Sequence, residues 1–244
     1  MVGVLGVSAS AILVRFSQAP SGVTAAYRLG WTVLLLLPVV LLRCRAELRR
    51  VTARDLVLCG ASGVLLALHF LTWFESLKRT SVASSTVLVS TEVIFTALGF
   101  ALFLHGKIPR LGVWAILLAF GGSALLALSG GGGAGELSGN LLALAAASAA
   151  AVYTLIGRIQ RGHLSTTVYT FLTYLACFLT LLLGTAAAGT PLTGYGGREW
   201  LIGLALAVLC TLLGHSLFSW CLKYLSPSYV SAAKLCEPVF SSLA

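Results

Sequence analysis

Eight apolar runs, each close to the length of a membrane-crossing helix, follow one another along this chain with breaks of only a few residues. They lie at Val2–Ala19, Gly22–Leu42, Leu56–Leu77, Val82–Leu104, Leu111–Ser129, Leu137–Ile159, Thr166–Ala188 and Leu201–Leu222. A ninth begins near Tyr229 and is cut by the end of the sequence at Ala244. A helix needs about 20 apolar residues to cross the hydrocarbon core. Backbone amides find no partners in lipid, so such runs are confined to helices or closed barrels. Barrel strands would alternate polar and apolar residues over about ten positions, and these runs do not. The fold class that follows is an all-α integral membrane protein.

Composition agrees. Hydrophobic residues make up 58% of the chain and charged residues 9%, where a soluble domain carries about 25% charged residues. The net charge of +9 would suit nucleic acid, but the basic residues sit in the gaps between runs, where membrane topology accounts for them. No nucleic-acid partner is expected; the lipid bilayer is. No secretory signal or small-residue cleavage site accompanies the first run, so that span is expected to remain in the mature protein. The six cysteines show no C-x-x-C spacing and five lie inside apolar runs, which reads as small buried hydrophobes rather than a disulfide or metal set. No metal and no cofactor is expected.

The breaks carry turn chemistry: Pro20-Ser21-Gly22, Pro109, the glycine run Gly130 to Gly133, and Pro191 with its neighbouring glycines. Orientation follows from the cations. Arg43, Arg45, Arg49, Arg50, Arg54, Lys107, Arg110, Arg158, Arg161 and Lys223 fall on one side if the spans alternate, against Arg15, Lys78, Arg79 and Arg198 on the other. The positive-inside rule then places the N-terminus in the cytoplasm of a multi-pass protein of the cytoplasmic membrane.

One stretch returns. Leu66 to Phe95 matches Thr211 to Phe240 at an offset of 145, pairing Lys78 with Lys223, Ser81 with Ser226, Glu92 with Glu237 and Phe95 with Phe240. Matches of Lys and Glu are hard to obtain by chance in so apolar a chain, which indicates an internal duplication. The units are 1–130, helices one to five; 131–135, a Gly-rich connector; and 136–244, helices six to eight and the start of nine. Five spans per half is an odd number, so the second half enters the membrane the other way up. Inverted repeats of this kind are common in secondary transporters, with substrate bound near the midplane.

Polar groups inside spans stand out, because hydrocarbon offers them no partner. His69, Thr72, Trp73 and Ser76 share one helix face in span three, and Thr211, His215 and Ser219 follow at four-residue steps in span eight. Span four carries Ser81, Ser85 and Glu92, and span nine Ser231, Lys234 and Glu237. The histidines suit either interhelical bonds or a transport pathway. The glutamates suit either a structural ion pair or the handling of substrate and protons. Lys234 sits one turn before Glu237 as a charge partner, and Arg28 is placed to reach Glu92 or Glu237. Small residues at four-step spacing, including Ala143, Ala147 and Ala151, mark close helix contacts. The sequence holds no G-x-S-x-G, H-E-x-x-H or G-x-x-x-x-G-K-[ST], so no enzyme, no catalytic residue and no nucleotide-driven transport is expected.

Several motifs resemble the EamA-type transporters of the drug/metabolite transporter superfamily: S-A-I-L-V-R at Ser10 to Arg15, A-P-S at Ala19 to Ser21, A-A-Y-R-L at Ala25 to Leu29, L-A-L-H-F, and S-V-A-S-S-T-V-L-V at Ser81 to Val89. L-G-H-S-L-F at Leu213 to Phe218, L-S-P at Leu225 to Pro227 and C-E-P-V at Cys236 to Val239 continue the likeness. The resemblance implies ten helices in two inverted five-helix repeats and a central cavity. It implies export or uptake of small metabolites, such as amino acids or related polar or amphipathic compounds, by alternating access, proton-coupled or facilitative. It maps His69, Trp73, Glu92, His215 and Glu237 onto pathway positions, and Thr72 and Ser219, on the same helix faces by spacing, join them in the expected substrate pathway. The chain departs from the pattern at Leu104-His105-Gly106-Lys107, where L-G-E is usual, at Glu92, where relatives carry a neutral polar residue, and at Lys234, a usually apolar position. By the repeat offset, about thirty residues are wanting at the C-terminus for the rest of helices nine and ten, so the ten-helix fold is expected to be incomplete in this sequence. The alternative reading is a non-transporting remnant, or a membrane interaction protein retaining the fold.

Overall fold

A computed structural model describes residues 2–106 and 134–234, with isolated helical positions at 110, 113–114, 117–118 and 121. The apolar runs become helices: α1 Val2–Phe16, α2 Ser21–Arg43, the short α3 Arg45–Leu48, α4 Ala53–Arg79, α5 Val82–Ser90, α6 Glu92–Phe103, α7 Ala134–Gln160, α8 Thr166–Ala187 and α9 Gly197–Ala205. From Leu206 to His215 the helix opens into wider π turns, then continues as α10 Ser216–Cys221 and, after a turn, α11 Pro227–Ala233. Six stretches among the described residues are long and apolar enough to cross a bilayer. The expected span Leu111–Ser129 lies largely outside the described residues, as do positions 131–133 of the connector and most of the ninth span.

Helix starts are written in the sequence as hydroxyl caps. Thr52 and Asp55 form a reciprocal capping box at α4, and Ser81, Ser165 and Ser226 each accept the amide three residues on at the starts of α5, α8 and α11. Such a cap contributes about 1 kcal/mol. Ser81 and Ser226, paired by the 145-residue repeat, therefore do the same work at the two turns. The run expected as one span from Val82 breaks at Thr91. Ser90 Oγ donates to the Thr86 carbonyl and Thr91 Oγ1 to that of Leu88, at 2.8 and 2.6 Å. Back-bonding hydroxyls of this kind bend helices, and here they leave Glu92 in the first turn of α6.

The π segment shows in its spacing. The Ser216 amide reaches the Thr211 carbonyl, and Thr211 Oγ1 donates to that of Leu206, both five residues back. Segments of this kind are frequent at functional sites.

Packing runs along several seams, two of which meet at a cavity. α4 lies against α7, and α1 against the π segment. Ala143, Ala147 and Ala151 of α7 are buried, as the small-residue spacing anticipates. α8 fills the space between α2 and α4, burying Tyr169, Tyr174 and Cys177 with Phe70 and Phe74 in the main core. α2 is divided: Arg28, Leu29 and Thr32 are fully buried, while Leu34, Leu37 and Leu42 further along are exposed, a surface suited to lipid.

Hydrogen bonds fix the relative direction of two helices. Arg15, at the end of α1, donates to the Leu77 carbonyl near the end of α4, and two residues later Ser17 donates to Glu199 in the first turn of α9. At the other end of the bundle Gln160 donates to Asp55, in the first turn of α4, and Arg158 to the Leu222 carbonyl past the end of α10. α4 and the α9–α10 stretch thus run in opposite directions.

Candidate functional site

Where these two seams meet, the described residues line a small, partly open cavity. Its wall takes Val7 and Ser10 from α1, Arg28 from α2, His69 and Trp73 from α4, Val89 and Ser90 from α5, Glu92 from α6, His215 from the π segment, and Ser231 and Lys234 from α11 and its end. Its space is about 30 Å³, room for one or two waters. His69 stands about 24 Å from the start of α4 and about 15 Å from its end, by helical rise, which sets the cavity well inside the apolar span.

Charge is held here by dense bonding. Lys234 Nζ lies 2.9 Å from both oxygens of Glu92, and Thr154 and Ser231 donate to Glu92 Oε1 at 3.0 and 3.3 Å. The carboxylate also sits at the N-terminal end of α6, where backbone amides favour an anion. Arg28 donates through Nε to Thr211 Oγ1 at 2.7 Å and through Nη1 to Ser10 Oγ at 3.1 Å. Its guanidinium carbon lies 4.2 Å from the centre of the Phe70 ring.

An aromatic chain lines the other side. His69 and Trp73 stack with ring centroids 5.9 Å apart, and the rings of His69 and His215 meet edge to face at 6.3 Å. Phe70 and Tyr153 both contact His215. His69 Nδ1 lies 3.0 Å from the Ala146 carbonyl. A carbonyl only accepts, so Nδ1 carries a proton, and Nε2 is the ring nitrogen left out of that bond. The Trp73 indole N–H is buried with no acceptor among the described residues.

Of the positions read from the sequence, His69, Trp73, Glu92 and His215 come together in this wall, with Arg28 and Lys234. Thr72 and Ser219 do not line it. Thr72 Oγ1 turns back to the carbonyls of Leu68 and His69, the usual outlet for a threonine inside a helix. Ser219 Oγ lies one turn beyond His215 and pairs with the Tyr153 hydroxyl at 3.2 Å. Glu237 lies outside the described residues. Lys234 finds its carboxylate in Glu92, across the bundle, where local spacing pointed to Glu237, and the described bonds of Arg28 go to hydroxyls. Sequence reading passed over Thr154, whose only signal is a hydroxyl in an otherwise alanine-rich run. Among the described residues no group of three or more His, Cys, Asp or Glu stands where it could hold a metal ion.

The comparisons with known proteins come to bear on this geometry. A family model described as the EamA-like transporter family matches residues 1–128 and 137–244. No curated protein matches the sequence. A solved crystal structure superposes on 99% of this chain and 84% of its own, with a TM-score of 0.73 at 20% identity, a likeness of fold.

Proposed function

The chain belongs to the EamA-like transporter family, and on that premise we propose that it is a secondary transporter moving small metabolites, such as amino acids or related polar or amphipathic compounds, across the cytoplasmic membrane by alternating access. The observation that carries this reading is the convergence of Arg28, His69, Trp73, Glu92, His215 and Lys234, from five separate segments, on one cavity inside the span. Buried ionisable groups in a membrane protein mark substrate and ion pathways. Here they come from both sides of the 145-residue repeat.

The repeat itself is supported as an inverted one. α4 packs on α7 as the π segment packs on α1, which is the same contact with the halves exchanged, and α4 runs opposite to its counterpart. Alternating access follows from such a pair, since each half presents to one membrane face what the other presents to its opposite. A cavity of about 30 Å³ holds no metabolite, so substrate enters only when the Lys234–Glu92 pair or its neighbours part. The pathway residues in this reading are His69, Trp73, Glu92 and His215, with Glu237 and the flanking Thr72 and Ser219. The basic loops and the N-terminus face the cytoplasm, and protons are the coupling ion.

Reconstitution into liposomes tests the proposal. With a panel of amino acids and related metabolites, at least one compound should show flux that rises when a pH gradient is imposed. Monodisperse protein giving no flux of any compound, in either direction and with or without the gradient, defeats it.

A further inference from the structure

Two carboxylates outside the cavity are buried with no part in it, Glu199 at 4% exposure and Asp55 at 6%. Each lies in the first turn of a long helix, and each accepts hydrogen bonds from a loop that follows a different helix. Ser17 Oγ donates to Glu199 Oε2 at 2.6 Å and the Gln18 amide to Oε1 at 3.1 Å, both from the α1–α2 loop. His163 Nε2 and Gln160 Nε2 donate to Asp55 Oδ1 at 2.7 and 3.2 Å, both from the end of α7 and the loop after it.

The likeness extends to the arginine that opens each loop. Arg15 donates to the Leu77 carbonyl at the end of α4, and Arg158 to the Leu222 carbonyl beyond α10, each supplying a cation where a helix C-terminus leaves its carbonyls unmet. The arginines, the carbonyls and the carboxylates are displaced from one another by 143 to 145 positions, the offset of the internal repeat. The same three-point fastening is therefore built twice. Asp55 and Leu77 lie 22 residues apart on α4, about 33 Å by helical rise, so one fastening sits at each end of the bundle with the cavity between them.

We infer that Glu199 and Asp55 hold shut two equivalent gates at opposite membrane faces, each carboxylate clamping a loop that belongs to the other half of the repeat. The inference rests on the transport reading for its purpose, but its geometry stands independently. Both fastenings are made in this structure, and the cavity between them has room for about 30 Å³. Opening one face requires the loop to leave its carboxylate while the opposite fastening holds.

Sided labelling of the full chain tests this. In a background with all cysteines replaced, Ser90→Cys places a reporter in the cavity wall, and a membrane-impermeant thiol reagent is applied to right-side-out and inside-out vesicles. Glu199→Gln should raise labelling from one face and Asp55→Asn from the other, each by about tenfold, as expected for loss of a charge-assisted hydrogen bond. Glu199→Asp should restore part of the protection. Should either carboxamide variant fail to fold, Ser17→Ala and Gln160→Ala each remove one hydrogen bond to the carboxylate, Ser17→Ala also losing its bond to Thr24, and should show the same sidedness. Labelling that rises from the same face for both members of a pair, or is unchanged in monodisperse variants, overturns the gates. Sided labelling in a chain that moves no substrate would leave the gates standing and remove transport. Flux without sidedness would do the reverse.

Discussion

Lys234 Nζ stands 2.9 Å from both carboxylate oxygens of Glu92, a residue 142 positions earlier, with both side chains largely withdrawn from solvent. A pair held at such a depth is asymmetric in its energetics: deleting one partner strands a charge, whereas replacing both with apolar or neutral groups is often tolerated. Lys234→Met and Glu92→Gln should each destabilise the protein by about 3 to 5 kcal/mol, and the double variant should recover most of that loss. Thermal unfolding in detergent measures the cycle. A double variant no more stable than the worse single would show that the two side chains act separately.

His69 separates a structural role from a transport role. Its Nδ1 is committed to the Ala146 carbonyl, a bond that an Asn side-chain amide can reproduce from nearly the same position. His69→Asn should therefore unfold close to the parent temperature, yet lose flux by tenfold or more, corresponding to about 1.4 kcal/mol of lost transition-state stabilisation. Liposome flux read beside the melting curve decides between the roles. Parental flux in His69→Asn would make the histidine a tie between α4 and α7 and nothing more.

Two glycines three residues apart on α4 should respond in opposite ways to the same substitution. A Cβ at Gly63 would stand 2.6 Å from the Thr173 carbonyl oxygen and 2.7 Å from the Cys177 amide nitrogen, whereas one at Gly60 would meet nothing within 4 Å. Gly63→Ala must push α8 away at a cost of about 1 to 3 kcal/mol. Gly60→Ala should stabilise by up to about 1 kcal/mol through helix propensity. Equal melting temperatures for the two variants would contradict the close α4–α8 contact.

The helical spans were legible because length and hydropathy alone decide them. The break at Thr91 was harder to see. Ser90 and Thr91 read as tolerable helix residues until their hydroxyls are known to bond backward. The π segment left no mark, since Thr211 and His215 keep an ordinary helical spacing and the widened turns show only in bonds reaching five residues back. The site divides the same way. His69, Trp73, Glu92 and His215 stood out as polar or aromatic residues in matching halves, but the pairing of Lys234 with Glu92 is a long-range fact that local spacing points away from. Asp55 and Glu199 escaped for another reason: at helix starts beside charged loops, carboxylates look like ordinary surface residues.

Thr211 links the buried Arg28 to the π segment, and its replacement should show how firmly the two are joined. Its Oγ1 accepts from Arg28 Nε at 2.7 Å and donates to the Leu206 carbonyl five residues back. Thr211→Val keeps the branched shape and removes both bonds, so the guanidinium loses a close acceptor in a fully buried setting. A hydrogen bond to a charged group contributes about 1.5 to 3 kcal/mol, and the melting temperature should fall accordingly. Thr211→Ser keeps the hydroxyl and should stay near the parent, apart from the lost methyl. Ser10→Ala, which removes the longer 3.1 Å bond to the same guanidinium, should lie between them. If Thr211→Val melts with the parent, Arg28 draws its support from elsewhere and the wide turns at Leu206 to His215 are held by their packing on α1 alone.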